Sequence, residues 1–290
     1  MPRPADAREM LRMAREFLER KGVEEARLDA ELLVSHALGL DRLQLFLELE
    51  RPITSAELDR ARDLLVRRGR KEPTAYVIGK REFYGRDFFV KPGVLIPRPE
   101  TELIVDRARE LMQGVGREVA VADLGTGSGC LAVTLALELE GARLWGTDIS
   151  AEAVEVAREN AERLEAEVGF RVTDGVSGLA EIVGERGAPL DLIVSNPPYI
   201  EPGEADSLAP EVREYEPEVA LFAPAGDPDH WLRSLLDSGG ELLTPEGVLL
   251  VELGHMQAAR ALSLAEERAW RGRLHKDLAG IERVFEAQRA

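Results

Sequence analysis

Along residues 1–72 the apolar positions recur three and four apart. Met10, Leu11, Ala14, Phe17 and Leu18 open the pattern, and "LDAELLVSHALGL" (28–40) carries it to a stop at Gly39. That period belongs to amphipathic helices. Thr54, followed three residues later by Glu57, is a capping-box pair at the head of "TSAELDRARDLLVRRGRK". The spacing predicts a bundle of four or five helices that contains no chemical motif. Residues 73–98, "PTAYVIGKREFYGRDFFVKPGVLIPR", turn aromatic and β-branched, with Gly85 between two short runs. This predicts a β-hairpin within a linker, its exit stiffened by Pro92, Pro97 and Pro99.

From Glu100 onward the period alternates. Helical spacing over 101–112, 129–139 and 151–165 is interleaved with short apolar runs at 117–125, 143–149, 167–174, 190–196 and 247–254. Helix and strand in turn predict a parallel sheet wound on both faces by right-handed crossovers, an α/β Rossmann-like domain over 99–290. "WRGRLHKDL" and "ERVFEAQ" in the tail read as two strands forming an antiparallel edge. There is no internal repeat.

Bulk numbers change this picture little. A chain of 290 residues, 44% hydrophobic and 31% charged, suits two globular domains. No apolar run approaches the roughly 18 residues of a membrane span. The opening "MPRPADAREMLRMAREF" has no apolar centre, so no secretory signal is expected. Cys130 is the single cysteine, which fits a reducing compartment. A cytoplasmic protein, acting as a monomer and away from membranes, is the expectation. The net charge of −17 is uneven: residues 1–85 carry 17 Lys and Arg against 16 Asp and Glu, and the remainder 20 against 38. So acidic a second half repels phosphate backbones, and direct nucleic-acid binding is not expected. "RRGRK" (67–71) is the one basic run, best read as cations at a helix C-terminus.

The chemistry lies at the strand ends. "VADLGTGSGCL" sets Gly125, Gly127 and Gly129, with Thr126 and Ser128 between them, in the turn from the first strand of the domain to its helix. Such a turn lets a ligand approach the backbone beside the unpaired N–H groups of a helix start. The spacing is G-x-G-x-G rather than the dinucleotide G-x-G-x-x-G, and no Lys or Arg stands there to meet a pyrophosphate. Asp148 ends the second strand, where a carboxylate accepts ribose hydroxyls. Asp174 ends the third, within reach of an exocyclic amine, and Asp123 precedes the glycines near the seat of a cationic centre. A nucleoside with a positive centre, S-adenosylmethionine, suits three acids better than a pyrophosphate cofactor does.

"DLIVSNPPYIEP" (191–202) ends the fourth strand in Asn196-Pro197-Pro198-Tyr199. Two prolines fix φ and donate nothing, so the turn offers carbonyl oxygens, to which Asn196 adds its own. Beside the Tyr199 ring, two acceptors fit a planar N–H₂ group whose lone pair is tied into a π-system. The motif holds no Asp, Glu or His, so no dedicated general base is expected in it. His36, His230, His255 and His275 are scattered without metal-ligand spacing, and no metal is expected. Cys130, at a helix start, reads as a small packed side chain.

These motifs resemble a known family. "NPPYI" with "DLGTGSG" is similar to the S-adenosylmethionine-dependent amino-methyltransferases. "PTAYVIGKREFYG", "VLIPRPETE", "VSNPPYIEP", "EGVLLVELGH" and "KDLAGIERVF" resemble, in order, the bacterial enzymes that methylate the glutamine of the Gly-Gly-Gln motif in peptide-chain release factors. The resemblance implies a seven-stranded sheet, a helical domain over 1–72 that docks the release factor, and transfer to the glutamine side-chain amide. It implies that Gly125 to Gly129, Asp148, Asp174, Gly175 and Asn196 meet the cofactor. Asn196 to Tyr199 would hold the substrate amide, with Asn196, Pro197 and Tyr199 carrying the catalysis. Arg98, Glu100 and Thr101 would line a lip beside the cofactor. One departure stands out: the family often places a bulky residue after the third-strand acid, and here Gly175 follows Asp174. Three rivals are a sister family acting on a ribosomal-protein glutamine, an adenine amino-methyltransferase, and a scaffold with a vestigial cofactor fold.

Overall fold

The computed structural model describes residues 4–290; Met1 to Arg3, which begin the region read as a helical domain and its charged opening, lie outside the described residues. Two compact units emerge, one made of the chain up to Lys80 with Ala209–Tyr215, the other of Arg81–Leu208 with Glu216–Ala290.

In the first unit Asp6 caps α1 (Ala7–Arg20), its carboxylate accepting from Glu9 N at 2.8 Å. Next come α2 (Ala26–Leu38), α3 (Arg42–Leu47), α4 (Ser55–Arg68) and α5 (Thr74–Ile78). The Thr54–Glu57 capping box heads α4 as its sequence predicts. Helix α2 is the central one: Leu33, Val34 and Ala37 are buried along with Met10, Leu18, Ala61 and Leu65 of α1 and α4. Two residues of the basic run form ion pairs. Arg67 holds Glu72 at 2.5 Å, and buried Arg68 holds Asp29 at 2.7 Å and Glu211 at 3.1 Å. Asp29 also accepts from Thr74 Oγ1 at 2.7 Å.

The second unit opens in the hairpin of β1 (Lys80–Phe83) and β2 (Arg86–Phe89), turned by Tyr84 and Gly85 at φ 50° and 74°. Phe83 and Phe88 meet edge to face with centroids 6.0 Å apart, both buried. A 3₁₀ turn over Pro99–Thr101 then leads into α6 (Glu102–Met112). There follow β3 (Ala120–Leu124), α7 (Cys130–Glu138), β4 (Arg143–Asp148), α8 (Ala151–Arg163), β5 (Val168–Val172), α9 (Ser177–Arg186) and β6 (Leu190–Ser195). The short α10 (Pro210–Tyr215) belongs to the first unit; α11 (Glu218–Leu221), α12 (His230–Leu242), β7 (Leu243–Glu252), α13 (Ala258–Glu267), β8 (Trp270–Lys276) and β9 (Glu282–Arg289) complete the second.

The seven strands run in the order β5-β4-β3-β6-β7-β9-β8, parallel from β5 to β7, with β9 antiparallel to both of its neighbours. Alternation along the strands divides the core. Val121, Leu192, Val194 and Leu250 face α6, α7 and α8, whereas Ala122, Ile193, Leu249 and Val251 face α9, α12 and α13. Strand order reverses at β3, so its carboxyl end opens a crevice between β4 and β6, where open α/β sheets bind ligands. Among the described residues no helix is long and apolar enough to cross a membrane.

Candidate active site

The glycine turn leaves β3 at this switch point. Gly125, Gly127 and Gly129 all have left-handed φ, at 73°, 54° and 80°. Their tasks differ. A Cβ on Gly125 or Gly127 would meet nothing within 4 Å, so these two keep a free cradle, while one on Gly129 would lie 3.0 Å from the Ala157 Cβ, so this glycine lets α7 press against α8. The turn is pinned to β4: Gly125 N and Thr126 N donate to Thr147 O at 2.8 and 2.9 Å. Asn160, fully buried on α8, donates to Ser128 O at 2.9 Å and pairs with Phe89 through N and O, joining the hairpin to the glycine turn.

Two acids border the turn. Asp148 accepts from Gly127 N and Ser150 N, each at 2.9 Å; burial raises its pKa, opposed by these backbone N–H groups. Its two oxygens keep lone pairs for ligand hydroxyls. Asp123 is 1% exposed, and burial, opposed by Thr126 and reinforced by Asp148, lifts its pKa to about 7. One of its oxygens accepts from Thr126 Oγ1 at 2.7 Å, and the other is buried with no hydrogen-bond partner among the described residues, although the nearby Ala132 N–H also lowers the pKa. An orphaned carboxylate oxygen beside a glycine cradle fits a ligand that carries an ammonium or sulfonium charge. Cys130 is half-buried, and desolvation pushes its thiol up to about 12, which makes it a packed side chain rather than a nucleophile.

On the far side of β3, Ser195 Oγ donates to Leu124 O at 2.7 Å and fixes the end of β6. Asn196 follows, and its Nδ2 donates to Thr101 Oγ1 at 3.0 Å. Thr101 in turn donates to Glu252 Oε2 at 2.5 Å, and both residues are 2% exposed. A hydroxyl has one hydrogen; given to Glu252, it leaves Thr101 only able to accept from Asn196. The amide nitrogen of Asn196 is thereby assigned to the Thr101 side, and Oδ1 is left for the cleft. Burial lifts the Glu252 pKa to about 7, with Thr101 opposing, Glu100 reinforcing, and Arg283 and Arg98 opposing. Tyr199 is pushed up to about 12, by burial first and then by Glu252. Its ring lies flush on the chain at Gly254, where a Cβ would come within 2.8 Å of Cδ2. Beyond it, Ile200 exchanges backbone hydrogen bonds with Leu221 O and Ala223 N, at 3.1 and 2.9 Å.

One cavity is bordered by Gly125 to Ser128, Asp148, Asp174, Gly175 and Asn196 to Pro198 of the predicted residues, together with Asp123. Gly129 and Tyr199 do not border it. Of the expected lip, Arg98 and Thr101 border the cavity and Glu100 does not; Arg98 is held by buried Glu216 at 2.6 Å. Sequence reasoning missed Glu252 and Trp231. A carboxylate inside the apolar run "GVLLVELG" is a signal that could have found the first. Nothing local marks Trp231. Among the described residues no group of three or more His, Cys, Asp or Glu side chains is placed to hold a metal.

Known proteins resemble this chain over most of its length. A family model described as the PrmC N-terminal domain matches residues 9–79, and one described as the methyltransferase small domain matches 101–212. A release factor glutamine methyltransferase of Chlorobaculum tepidum is 44% identical over 260 residues, covering 88% of each chain. One of Geobacter sulfurreducens is also 44% identical, covering 89% of this chain and 87% of its own. The crystal structure of a Thermus thermophilus 16S rRNA N2 G1207 methyltransferase, with AdoMet and guanosine bound, overlaps 73% of this chain and 50% of its own with a TM-score of 0.50. At 20% identity that likeness speaks for the fold alone.

Proposed function

The chain belongs to the release factor glutamine methyltransferases, and from that premise we propose that the cleft at Asn196 methylates the side-chain amide of the Gly-Gly-Gln glutamine in peptide-chain release factors. The protein is an S-adenosylmethionine-dependent enzyme. When bound, S-adenosylmethionine supplies an electrophilic methyl group on a sulfonium. The unpartnered oxygen of Asp123, the open glycines and the Asp148 carboxylate support its placement: Asp123 for the charged end, Gly125 to Gly129 for the backbone cradle, Asp148 for the ribose hydroxyls, Asp174 and Gly175 for the adenine side.

The observation that carries the substrate reading is the hydrogen-bond chain from Asn196 through Thr101 to Glu252. It presents Oδ1 of Asn196 beside the carbonyl oxygens of the Pro197–Pro198 turn. A carboxamide nitrogen has two hydrogens and a delocalised lone pair. Two fixed acceptors would hold both hydrogens, tilt the lone pair out of conjugation and stabilise the positive charge that gathers on nitrogen. As the N–CH₃ bond forms and the S–CH₃ bond breaks, one of those hydrogens would be lost as a proton to solvent, since the methylated amide cation is strongly acidic. Holding that nitrogen in line at about 3–3.5 Å from the methyl supplies much of the acceleration. Tyr199 stays a neutral phenol over the working pH range, and its ring, packed on the chain at Gly254, backs the turn that carries Asn196. The proposal includes a monomeric cytoplasmic enzyme that docks release factors through its 1–72 helical region and needs no nucleic acid.

The test is methyl transfer from labelled S-adenosylmethionine to purified release factor, its Gly-Gly-Gln→Gly-Gly-Ala variant, ribosomal proteins and DNA, with the label located by mass spectrometry. Label on that glutamine alone supports the reading. Label on a ribosomal protein or on DNA, with none on release factor, sinks the substrate assignment.

A further inference from the structure

The departure at Gly175 has a counterpart on another element. Gly175 stands at φ 55°, and a Cβ there would lie 3.1 Å from Cζ3 and 3.6 Å from Cη2 of Trp231. Trp231 is the second residue of α12, and it borders the same cavity as Thr173, Asp174 and Gly175. Its six-membered ring therefore occupies the space into which a side chain at 175 would grow. Even a methyl group at 175 would press on this ring, which would have to give by a few tenths of an ångström.

The way the indole is held says what it contributes. The His230 ring stands on edge to it, with centroids 5.0 Å apart and planes at 89°. Its Nε1–H is buried without an acceptor among the described residues. An unpaired buried donor is unfavourable, so the ring is not kept there for a hydrogen bond. What it offers the cavity is aromatic surface. Ile149, 54% exposed and next to Asp148, adds apolar surface to the same cavity. Flat, apolar walls beside a ribose-binding acid suit a purine.

We propose that Trp231 is a cofactor-binding residue whose ring covers the purine of the adenosyl group, supplying from α12 the wall that a side chain at position 175 would otherwise form. This rests on the reading of the cavity as the S-adenosylmethionine site, and the experiment separates the two. The full chain is labelled with 5-fluorotryptophan, and its three tryptophan signals are assigned with Trp145→Phe, Trp231→Phe and Trp270→Phe. It is then titrated with S-adenosylhomocysteine and with adenosine. The Trp231 signal moves with either ligand. By calorimetry, Trp231→Ala binds both about tenfold more weakly, and Trp231→Phe stays within about threefold of the wild type.

A Trp231 signal that stays in place at saturating S-adenosylhomocysteine overturns the assignment, as does Trp231→Ala binding both ligands like the wild type. Weakened S-adenosylhomocysteine binding with unchanged adenosine binding overturns it too, because the ring would then act on the amino-acid end. The ligand shift itself is read in the unsubstituted chain, so it does not depend on how Trp231→Ala folds. If the wild type binds no S-adenosylhomocysteine at all, the cofactor reading falls first and this inference with it.

Discussion

Asn196 Nδ2 and Thr101 Oγ1 stand 3.0 Å apart although 95 positions separate them in the chain. One closes β6, and the other sits in the 3₁₀ turn before α6. Their contact fixes which end of the Asn196 amide faces the cleft.

Removing the Thr101 hydroxyl should free that amide to rotate. Thr101→Val is expected to slow methyl transfer by about 10–100-fold while S-adenosylhomocysteine affinity stays near that of the wild type. Thr101→Ser, which keeps the hydroxyl, should recover most of the rate. Equal loss in both variants would place the effect in packing rather than in the hydrogen bond.

Glu252 gives the same orientation a pH dependence. Above about 7 its carboxylate is ionised and takes the Thr101 hydrogen. Below that, a protonated Glu252 can itself donate to Thr101 and release the constraint. Single-turnover rates at saturating cofactor should therefore fall as pH drops through about 7. Saturation matters because Asp123, also near 7, borders the cavity and is proposed to meet the charged end of the cofactor. In Glu252→Gln this limb should disappear. A limb that persists unchanged in the variant would assign it to another group.

The stability of the same variant has a determined sign. Burial raises the folded pKa of Glu252 above its unfolded value, so native Glu252 binds a proton that the unfolded chain has lost between about pH 4.5 and 7. Its contribution is thus present at low pH and is lost as pH rises through about 7. Glu252→Gln should match the wild type near pH 4.5 and exceed it at pH 8, by about 3 kcal/mol. Thermal unfolding of both proteins at the two pH values checks it; a variant less stable at pH 8 contradicts it.

Much of this was legible in the chain, and the limits follow from distance in sequence. The glycine turn and Asn196 to Tyr199 each lie within a few residues, so type and spacing revealed them. Glu252 and Trp231 reach Thr101 and the cavity through contacts that exist only once β7 and α12 pack. The final pair of strands was readable as antiparallel, yet their order was not: β9, whose Val284 and Phe285 are buried, lies inside the sheet, and the more exposed β8 forms its edge. The run at 167–174 read as strand to its end, but β5 stops at Val172. Gly175 then turns the chain at positive φ.

Two glycines should respond in opposite directions. Gly129→Ala sets a Cβ 3.0 Å from the Ala157 Cβ at φ 80°. It should cost about 1–3 kcal/mol of stability and weaken S-adenosylhomocysteine binding. Gly184→Ala, exposed within α9 with nothing within 4 Å of the new methyl, should gain about 0.5–1 kcal/mol. Calorimetric melting of the two variants distinguishes them; a stable Gly129→Ala would show that α7 and α8 tolerate separation.

The most direct measurement is the single-turnover rate of Asn196→Ala on release factor, beside its dissociation constant for S-adenosylhomocysteine. The expected result is a rate down by at least about a thousandfold with cofactor affinity within several-fold of the wild type. Transfer at the normal rate would contradict the amide clamp, whatever the cofactor affinity.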